Sequence, residues 1–304
     1  MSNSDETTPG RAEAAAEQLK LSFGKVLNQH GYGFQYSVIK KAWELCGGGS
    51  QWLFEASEFP VTVQGGGTRI DFILARARDF RAKGLLYLLA ECKRANPALS
   101  NWCFARSPFV HEGRIHSIAG YEPIILERAE LNEKGAVRSS AKMVSKLENA
   151  YHLARDIKSG QKGDESGAKT NEQAIEEAAS QVCRGLNGMV EFFVKNPQLL
   201  KDNTVSLLPA IFTTARIWVS DVDLSSAAVE TGKVDLKDTK FQERPWIALQ
   251  YHLSPGIKHT ASPTENPASL HDFMDSEYVR TIPIVSPAGI EPFLKWSSQI
   301  DLRW

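Results

Sequence analysis

The sequence has no long hydrophobic run and little cysteine. Nowhere do about eighteen apolar residues follow one another, so no segment reads as a membrane-spanning helix and no membrane partner is expected. The first twenty residues are polar and rich in Ala and Glu, without the apolar core of a secretory signal, which points to a cytoplasmic protein. Cys46, Cys92, Cys103 and Cys183 form no CxxC pair. Neither a disulfide framework nor a zinc knuckle is therefore suggested, and reducing surroundings fit. Net basicity is missing as well. The 35 Lys and Arg stand against 36 Asp and Glu, for a formal charge of -1, so no phosphate-binding surface is advertised globally.

What the chain does have is local. Between Arg69 and His116 nine basic residues (Arg69, Arg76, Arg78, Arg81, Lys83, Lys93, Arg94, Arg106 and Arg114) face four acids (Asp71, Asp79, Glu91 and Glu112). A solvated basic surface and a phosphate track both account for this excess. At 304 residues the chain can bury a large core as one domain with elaborations.

Residues 1–10 read as a disordered N-terminus. A helix starts near Arg11, with Ala15, Leu19, Phe23, Val26 and Leu27 close to the 3.6-residue period, and Gly31 and Gly33 end it. A second helix covers Gln35 to Cys46, with Val38, Ala42 and Leu45 on one face, before Gly47, Gly48 and Gly49. Three strands follow: Trp52 to Val63, Thr68 to Ala75 beyond the Gly65–Gly67 turn, and Leu85 to Lys93, whose apolar body suggests burial on both faces. Residues 97–170 read as an insertion. They include a strand at Pro123 to Leu131, an amphipathic helix at Ser139 to Ile157 with Met143, Leu147, Tyr151 and Ala154 on one stripe, and a Gly-rich loop at Ser159 to Thr170. Regularity returns with a helix from an Asn171 N-cap to Phe193, closed by Asn196 and Pro197. Strands at Val205 to Val219, Pro245 to Leu253 and Thr281 to Val285 and a helix at Ala288 to Trp296 complete the chain. The expected fold is α/β, a central mixed sheet flanked by helices, with a core over 11–253 and a C-terminal extension, 254–304, packed on it.

The residues that suggest chemistry are Asp71, Glu91 and Lys93. If their strands form an antiparallel hairpin turning near Asp79 to Ala82, Asp71 faces either Glu91 directly or Leu89 with Glu91 diagonal, and both carboxylates share one face. Lys93, two residues beyond Glu91, points the same way. Two carboxylates and an ammonium on an apolar sheet need compensation. Mg²⁺ supplies it: Asp71 and Glu91 offer hard oxygen ligands, and the Cys92 carbonyl can add another. Lys93 is then placed to orient a water or face a developing oxyanion.

At these residues the chain resembles the PD-(D/E)xK, or restriction-endonuclease-like, nuclease superfamily, with Asp71 as the motif aspartate and Glu91, Cys92 and Lys93 as ExK. Ile70 stands where the written motif has proline. The resemblance implies a core of helix, three antiparallel strands, helix and fourth strand, filled in order by Arg11 to Cys46, Trp52 to Lys93, Asn171 to Phe193 and Val205 to Val219. It implies a Mg²⁺-dependent endonuclease, with Mn²⁺ able to substitute, cutting DNA in preference to RNA in restriction or phage defence. It also directs attention to a polar residue on the second core helix, where Gln181 stands, and to an extra glutamate from the first helix or strand. Glu17, Glu44, Glu55 and Glu58 compete for that role, with Glu17 and Glu58 preferred. Gly185 and Gly188 would let the Gln181 helix approach the sheet.

Beside the motif, Arg69, Arg94 and Arg106 are candidates for phosphate contact. Trp102 either stacks on an unpaired base or packs its loop onto the core. His111 and His116 read as surface residues, and Arg216 and Trp218 on the fourth strand read equally as contact residues or as core-edge residues. Two other functions compete with the nuclease: a catalytically silent nucleic-acid-binding or assembly module of the same fold, and an RNase effector controlled by a partner. No Walker loop or helix-turn-helix is recognisable, so regulation falls to self-association, a partner protein or the unassigned segments. Limited proteolysis is expected to cut within Ser159 to Thr170 before anywhere in Trp52 to Lys93, and first cleavage inside the hairpin would refute this division of the chain.

Overall fold

The structure, a computed structural model, describes residues 9–29, 31–47, 51–77, 84–97, 100–105, 121–148, 151, 153–157, 173–201, 203–254, 256, 258–263, 270 and 277–300. The expectations for residues 1–8, Asp79 to Ala82, Arg106, His111, His116, Ser159 to Thr170 and Asn171 lie outside these. Helices α1 (Pro9–Gln29) and α2 (Tyr32–Gly47) precede strands β1 (Leu53–Val63), β2 (Gly66–Ala77), β3 (Gly84–Lys93), β4 (Asn101–Ala105), β5 (Tyr121–Leu131), β6 (Val137–Glu148) and β7 (Leu153–Ile157). Then come α3 (Gln173–Lys195), β8 (Thr204–Thr213), β9 (Arg216–Ser220), β10 (Phe241–Arg244), β11 (Trp246–His252), β12 (Ser262–Pro263), β13 (Val279–Val285) and α4 (Ile290–Ser297). Residues 9 and 10, expected to be disordered, open α1, as suits a proline near a helix start. No described helix is long and apolar enough to cross a membrane.

Among the described residues, nine strands form a curled mixed sheet that forks at β8. β1, β2 and β3 make an antiparallel meander, and β3 runs parallel to β8 from Gly84–Thr204 to Lys93–Thr213. On its other side β8 pairs first with β5, at residues 205–207, and then with β13, at Ile211 and Phe212. Pro209 lies between these two stretches. It has no N–H to give a neighbouring strand, so the change of partner falls where β8 has least to offer. Every β8 residue after Thr204 is buried, as expected of a central parallel strand.

Helices cover both faces. Val38 and Ala42 of α2 and Ile290, Phe293 and Leu294 of α4 pack on Phe72, Leu74, Leu86 and Leu88. Leu186, Met189, Val190 and Phe193 of α3 pack on the opposite face against Ile73, Leu89 and Leu207. The α4 C-terminus is held by Arg76, which is buried and donates to the carbonyls of Ser297, Ser298 and Ile300. These carbonyls have no partner within the helix, so the buried guanidinium and the helix end satisfy each other.

Two expected elements differ. The helix expected over Ser139 to Ile157 is β6 and β7. Its apolar spacing suits a helix, but its backbone pairs with β5 from Leu131–Val137 to Tyr121–Glu148. In the hairpin turn Asn132 Oδ1 accepts from the Lys134 and Ala136 N–H groups, both at 2.9 Å, and Gly135 adopts φ +74°. Hairpin pairing thus overrides the helical period of the apolar residues. The single strand expected over Val205 to Val219 is broken at Thr214 and Ala215. Thr213 Oγ1 accepts the Ala215 N–H at 3.1 Å, and β9 departs into a second sheet ordered β10–β9–β4–β7. Strands β5 and β6 therefore take residues of the presumed insertion into the main sheet, and β13 does the same for the C-terminal extension.

The approach of α3 to the sheet rests on Gly185 and Gly188. A Cβ on Gly185 would lie 3.1 Å from Ile70 Cγ1, and one on Gly188 only 2.6 Å from Val61 Cγ2. Val61 is buried and β-branched, so it cannot rotate away cheaply. Gly188→Ala should destabilise the fold by about 1–3 kcal/mol despite the higher helix propensity of alanine. Adding Val61→Ala should recover part of that loss relative to Val61→Ala alone. Urea denaturation of the four proteins checks both statements, and a more stable Gly188→Ala protein would contradict the packing.

Candidate active site

The β2–β3 ladder runs from Ala77–Leu85 to Phe72–Ala90, the register in which Asp71 comes opposite Glu91. Backbone pairing stops there, while β3 stays bonded to β8 through Lys93. Past this point the Asp71 side chain takes over from the ladder: its Oδ2 accepts the Cys92 N–H at 2.7 Å. A carboxylate thus bridges the split between two strands and satisfies a donor the ladder leaves unpaired.

The pleat is irregular at the same place. Ile70 and Ile73 both belong to the α3 side, whereas Phe72 and Leu74 face α2 and α4. Strict alternation would group Ile70 with Phe72, so the face changes across Asp71. On β1 the pairs Ser57–Phe72 and Phe59–Ile70 leave Glu58 opposite Asp71, and Glu58 has φ +51°, a left-handed conformation that a glutamate seldom adopts.

Three acidic side chains on three adjacent strands influence one another here. Glu58 is held by two partners: Gln35 Nε2 donates to its Oε1, and Arg69 Nη1 lies 2.8 Å from its Oε2. Glu91 is buried at 5% exposure. Burial first, then the charge of Asp71, pushes the Glu91 carboxyl up to about 9, against an opposing pull from Lys93. Burial likewise raises Asp71 to about 6, and Glu58 adds to the rise, while the Cys92 N–H, Arg69 and Lys93 oppose it. The Cys92 thiol is pushed well above its ordinary value, first by burial and then by Asp71 and Glu91. Lys93 Nζ lies 3.7 Å from Glu177 Oε2 on α3. Both rises come chiefly from burial, so the protein's own groups do not compensate these two carboxyls enough for them to ionise in their ordinary range.

Gln181 lies one helical turn from Glu177 and one from Gly185. Since Glu177 reaches Lys93 and Gly185 abuts Ile70, half-buried Gln181 stands on the row between them. The other expected residues lie elsewhere. Glu17 is on α1, 3.6 Å from Lys20, and is not among the charges acting on Asp71 or Glu91. The Arg94 guanidinium donates to the Asn28 carbonyl at the end of α1. Trp102 requires a correction: β4 alternates half-buried and buried residues, and Trp102, fully buried with Phe104 between α3 and the second sheet, cannot stack on a base. Arg216 sits 4.7 Å over the Trp218 ring and pairs with Glu243 at 2.6 Å, on β9, which lies between β10 and β4.

Sequence reading missed Gln35 and Glu177 as neighbours of the site. Gln35 had a detectable signal, being the polar residue on the same buried stripe of α2 as Val38 and Ala42. Glu177 had none beyond its place near a helix start. Among the described residues no three His, Cys, Asp or Glu side chains already converge as a metal-ligand set.

The raised carboxyls give a stability prediction with a definite sign. A carboxyl whose folded pKa lies above its unfolded value favours folding while protonated in both states, and that contribution is lost as pH rises through the folded value. For Glu91 the window runs from its ordinary 4.5 to about 9. In metal-free buffer Glu91→Gln should therefore melt above the wild type near pH ~8, with the gap closing towards pH ~4. Equal melting temperatures across that range would refute the buried charge. No model of a known protein family matches the chain, and comparison with curated proteins and with solved structures likewise finds no match.

Proposed function

We propose that the chain is a divalent-metal-dependent nuclease of the PD-(D/E)xK type, with Asp71 and Glu91 as metal ligands and Lys93 as the cationic partner of the reaction. The observation that carries this reading is the register of β2 and β3. It brings two under-compensated carboxylates face to face where the sheet opens, with Lys93 next on the same face of β3.

The donor set suits Mg²⁺, which is typically held through one or two carboxylates with water and phosphate oxygens completing the shell. Asp71 and Glu91 are such a pair, burial is the chief cause of their raised pKa values and a bound cation would offset it, and the Cys92 carbonyl is a further candidate ligand. When bound, the metal would lower the pKa of a ligated water and neutralise charge on the phosphate. The chain's own groups do the rest. Lys93 orients the attacking water and faces the charge developing on the phosphoryl oxygens. Gln181, on the α3 row above, is placed to hold that water or a phosphate oxygen. The Cys92 N–H fixes the Asp71 carboxylate in position before substrate arrives. Glu58, held by Gln35 and Arg69, adds a third acid at the site margin, and exposed Arg69 offers its free face to the nucleic-acid backbone. DNA is the substrate proposed, and restriction or phage defence the setting, both by the resemblance at Asp71, Glu91 and Lys93.

The test is incubation of the protein with supercoiled plasmid, linear duplex, single-stranded DNA and RNA, with and without Mg²⁺ or Mn²⁺. Asp71→Ala and Glu91→Ala should each lose roughly a thousandfold or more in cleavage rate, several kcal/mol of transition-state stabilisation. Lys93→Ala should lose cleavage while retaining Mg²⁺ binding by calorimetry, because it keeps both ligands. Melting temperature controls for folding. Folded variants that all cut as well as the wild type would refute the assignment, and a wild type inert towards every substrate and metal would favour the silent module.

A further inference from the structure

The second sheet ends in β10, a strand whose two faces carry different chemistry. Arg244 stands opposite Ile217 and Gln242 opposite Val219, both buried, so these two side chains share the inner face of the sheet. Lys240 continues that alternation. Its carbonyl accepts the Asp221 N–H at 3.3 Å and its own N–H donates to Asp221 Oδ1 at 2.7 Å, which carries the pairing of β9 and β10 one step further. Lys240, Gln242 and Arg244 therefore form one row along the sheet edge, about 13 Å from end to end at the backbone. Glu243, the acid next to Arg244 in the chain, points to the outer face, where Arg216 holds it through bonds of 3.0 and 2.6 Å.

The row borders a cavity of about 430 Å³, within the roughly 300–1,000 Å³ usual for pockets that take small molecules. Tyr151, Val219 and Val222 supply its apolar wall. Tyr151 is fixed from behind by β11: its N–H donates to the Ala248 carbonyl at 2.9 Å and its carbonyl accepts the Gln250 N–H at 2.7 Å. Among the described residues, the side chains of Lys240, Gln242 and Arg244 make no hydrogen bond or ion pair. Arg244 is also half-buried, so its planar fork of donors is partly withdrawn from water without an acceptor to receive it. Asp221 is the one acid lining the cavity, and it is exposed, with one oxygen occupied by the Lys240 N–H.

We propose that this cavity binds a nucleoside diphosphate, with the phosphate chain running along the row from Arg244 to Lys240 and the ring against Tyr151 and Val219. A guanidinium meets phosphate oxygens two at a time, and the ammonium at the other end of the row takes a second phosphate as a point charge. A single phosphate reaches one of the two cations, whereas two linked phosphates reach towards both. Gln242, between them, carries both a donor and an acceptor for the sugar or the edge of the base. The cavity is built from β9, β10 and the Tyr151 bridge to β11, and none of Asp71, Glu91 and Lys93 lines it, so it stands whether or not the nuclease reading does.

Isothermal titration calorimetry of the full chain with ADP, GDP, CDP and UDP, in EDTA so that no divalent metal takes part, should give the best of the four a dissociation constant at or below about 100 µM. The matching monophosphate, the nucleoside and pyrophosphate should each bind at least about tenfold more weakly, because each lacks a group the row or the wall would hold. Arg244→Gln and Lys240→Gln should each weaken the diphosphate at least about tenfold at unchanged melting temperature, since neither side chain is bonded within the protein. Lys237→Gln removes the same charge from the neighbouring loop, outside the cavity, and should bind as the wild type does, as should Asp71→Ala. No binding of any of the four at about 1 mM overturns the proposal. So do binding indifferent to Arg244→Gln, a loss shared equally by Lys237→Gln, and pyrophosphate or the monophosphate matching the diphosphate.

Discussion

Everything at the candidate site depends on β3 being paired along its whole length on one side and only part of it on the other. From Gly84 to Lys93 it is tied to β8, a strand buried almost throughout. β2 leaves it after the Phe72–Ala90 pair, and the open wedge is bridged by the Asp71 carboxylate on the Cys92 N–H. The backbone bearing Glu91 and Lys93 is therefore held by a complete ladder on its far side, while its near side is free to present side chains. A site built this way inherits the rigidity of the sheet, which is what sub-ångström positioning of ligands demands.

The same geometry sets the electrostatic problem. Glu58, Asp71 and Glu91 come from three consecutive strands, so their proximity is a direct consequence of the meander. Glu58 is balanced by Arg69 and Gln35. Asp71 has one backbone donor and Glu91 is buried, and Lys93 is drawn partly towards Glu177. A different buried acid in this protein shows what full compensation looks like. Glu127 has no exposed surface, yet Arg280, His259 and Ser139 all bond to it, and its carboxyl is held well below the usual range in spite of burial. The protein can thus balance a buried carboxylate when the fold requires only that, and at Asp71 and Glu91 it does not.

The surrounding architecture is economical in its exceptions to local rules. Pro209 sits where β8 changes partner, Glu58 takes a left-handed backbone opposite Asp71, and Gly188 admits α3 to within contact of Val61. Each departs from what its residue type or element prefers, and each occurs where strands fork or helices meet the sheet. Two of the three lie on the segment that bears the acids or on the helix above it, as is common where local strain serves function.

Local chemistry in the sequence was enough to determine the first half of the sheet. Gly65 to Gly67 and the alternating runs on either side specified β1 and β2, the apolar body of Leu85 to Ala90 specified a strand buried on both faces, and the hairpin parity anticipated the register of β2 on β3. The strong period of α3 and its close-packing glycines were equally legible. Tertiary structure decided what periodicity cannot encode. The run from Val137 to Ile157 has helical spacing but becomes two strands, because β5 offers β6 a ladder and β4 offers one to β7, and the run from Thr204 to Ser220 is divided between two sheets. Trp102 lies in the core because β4 was placed beside β9, an event remote in sequence. Gln35 meets Glu58 only because α2 crosses β1. Hydrophobic period and turn chemistry act over a few residues and so can be read along the chain, whereas β3 meets β8 and β4 meets β9 across roughly a hundred residues, a choice that no local pattern encodes.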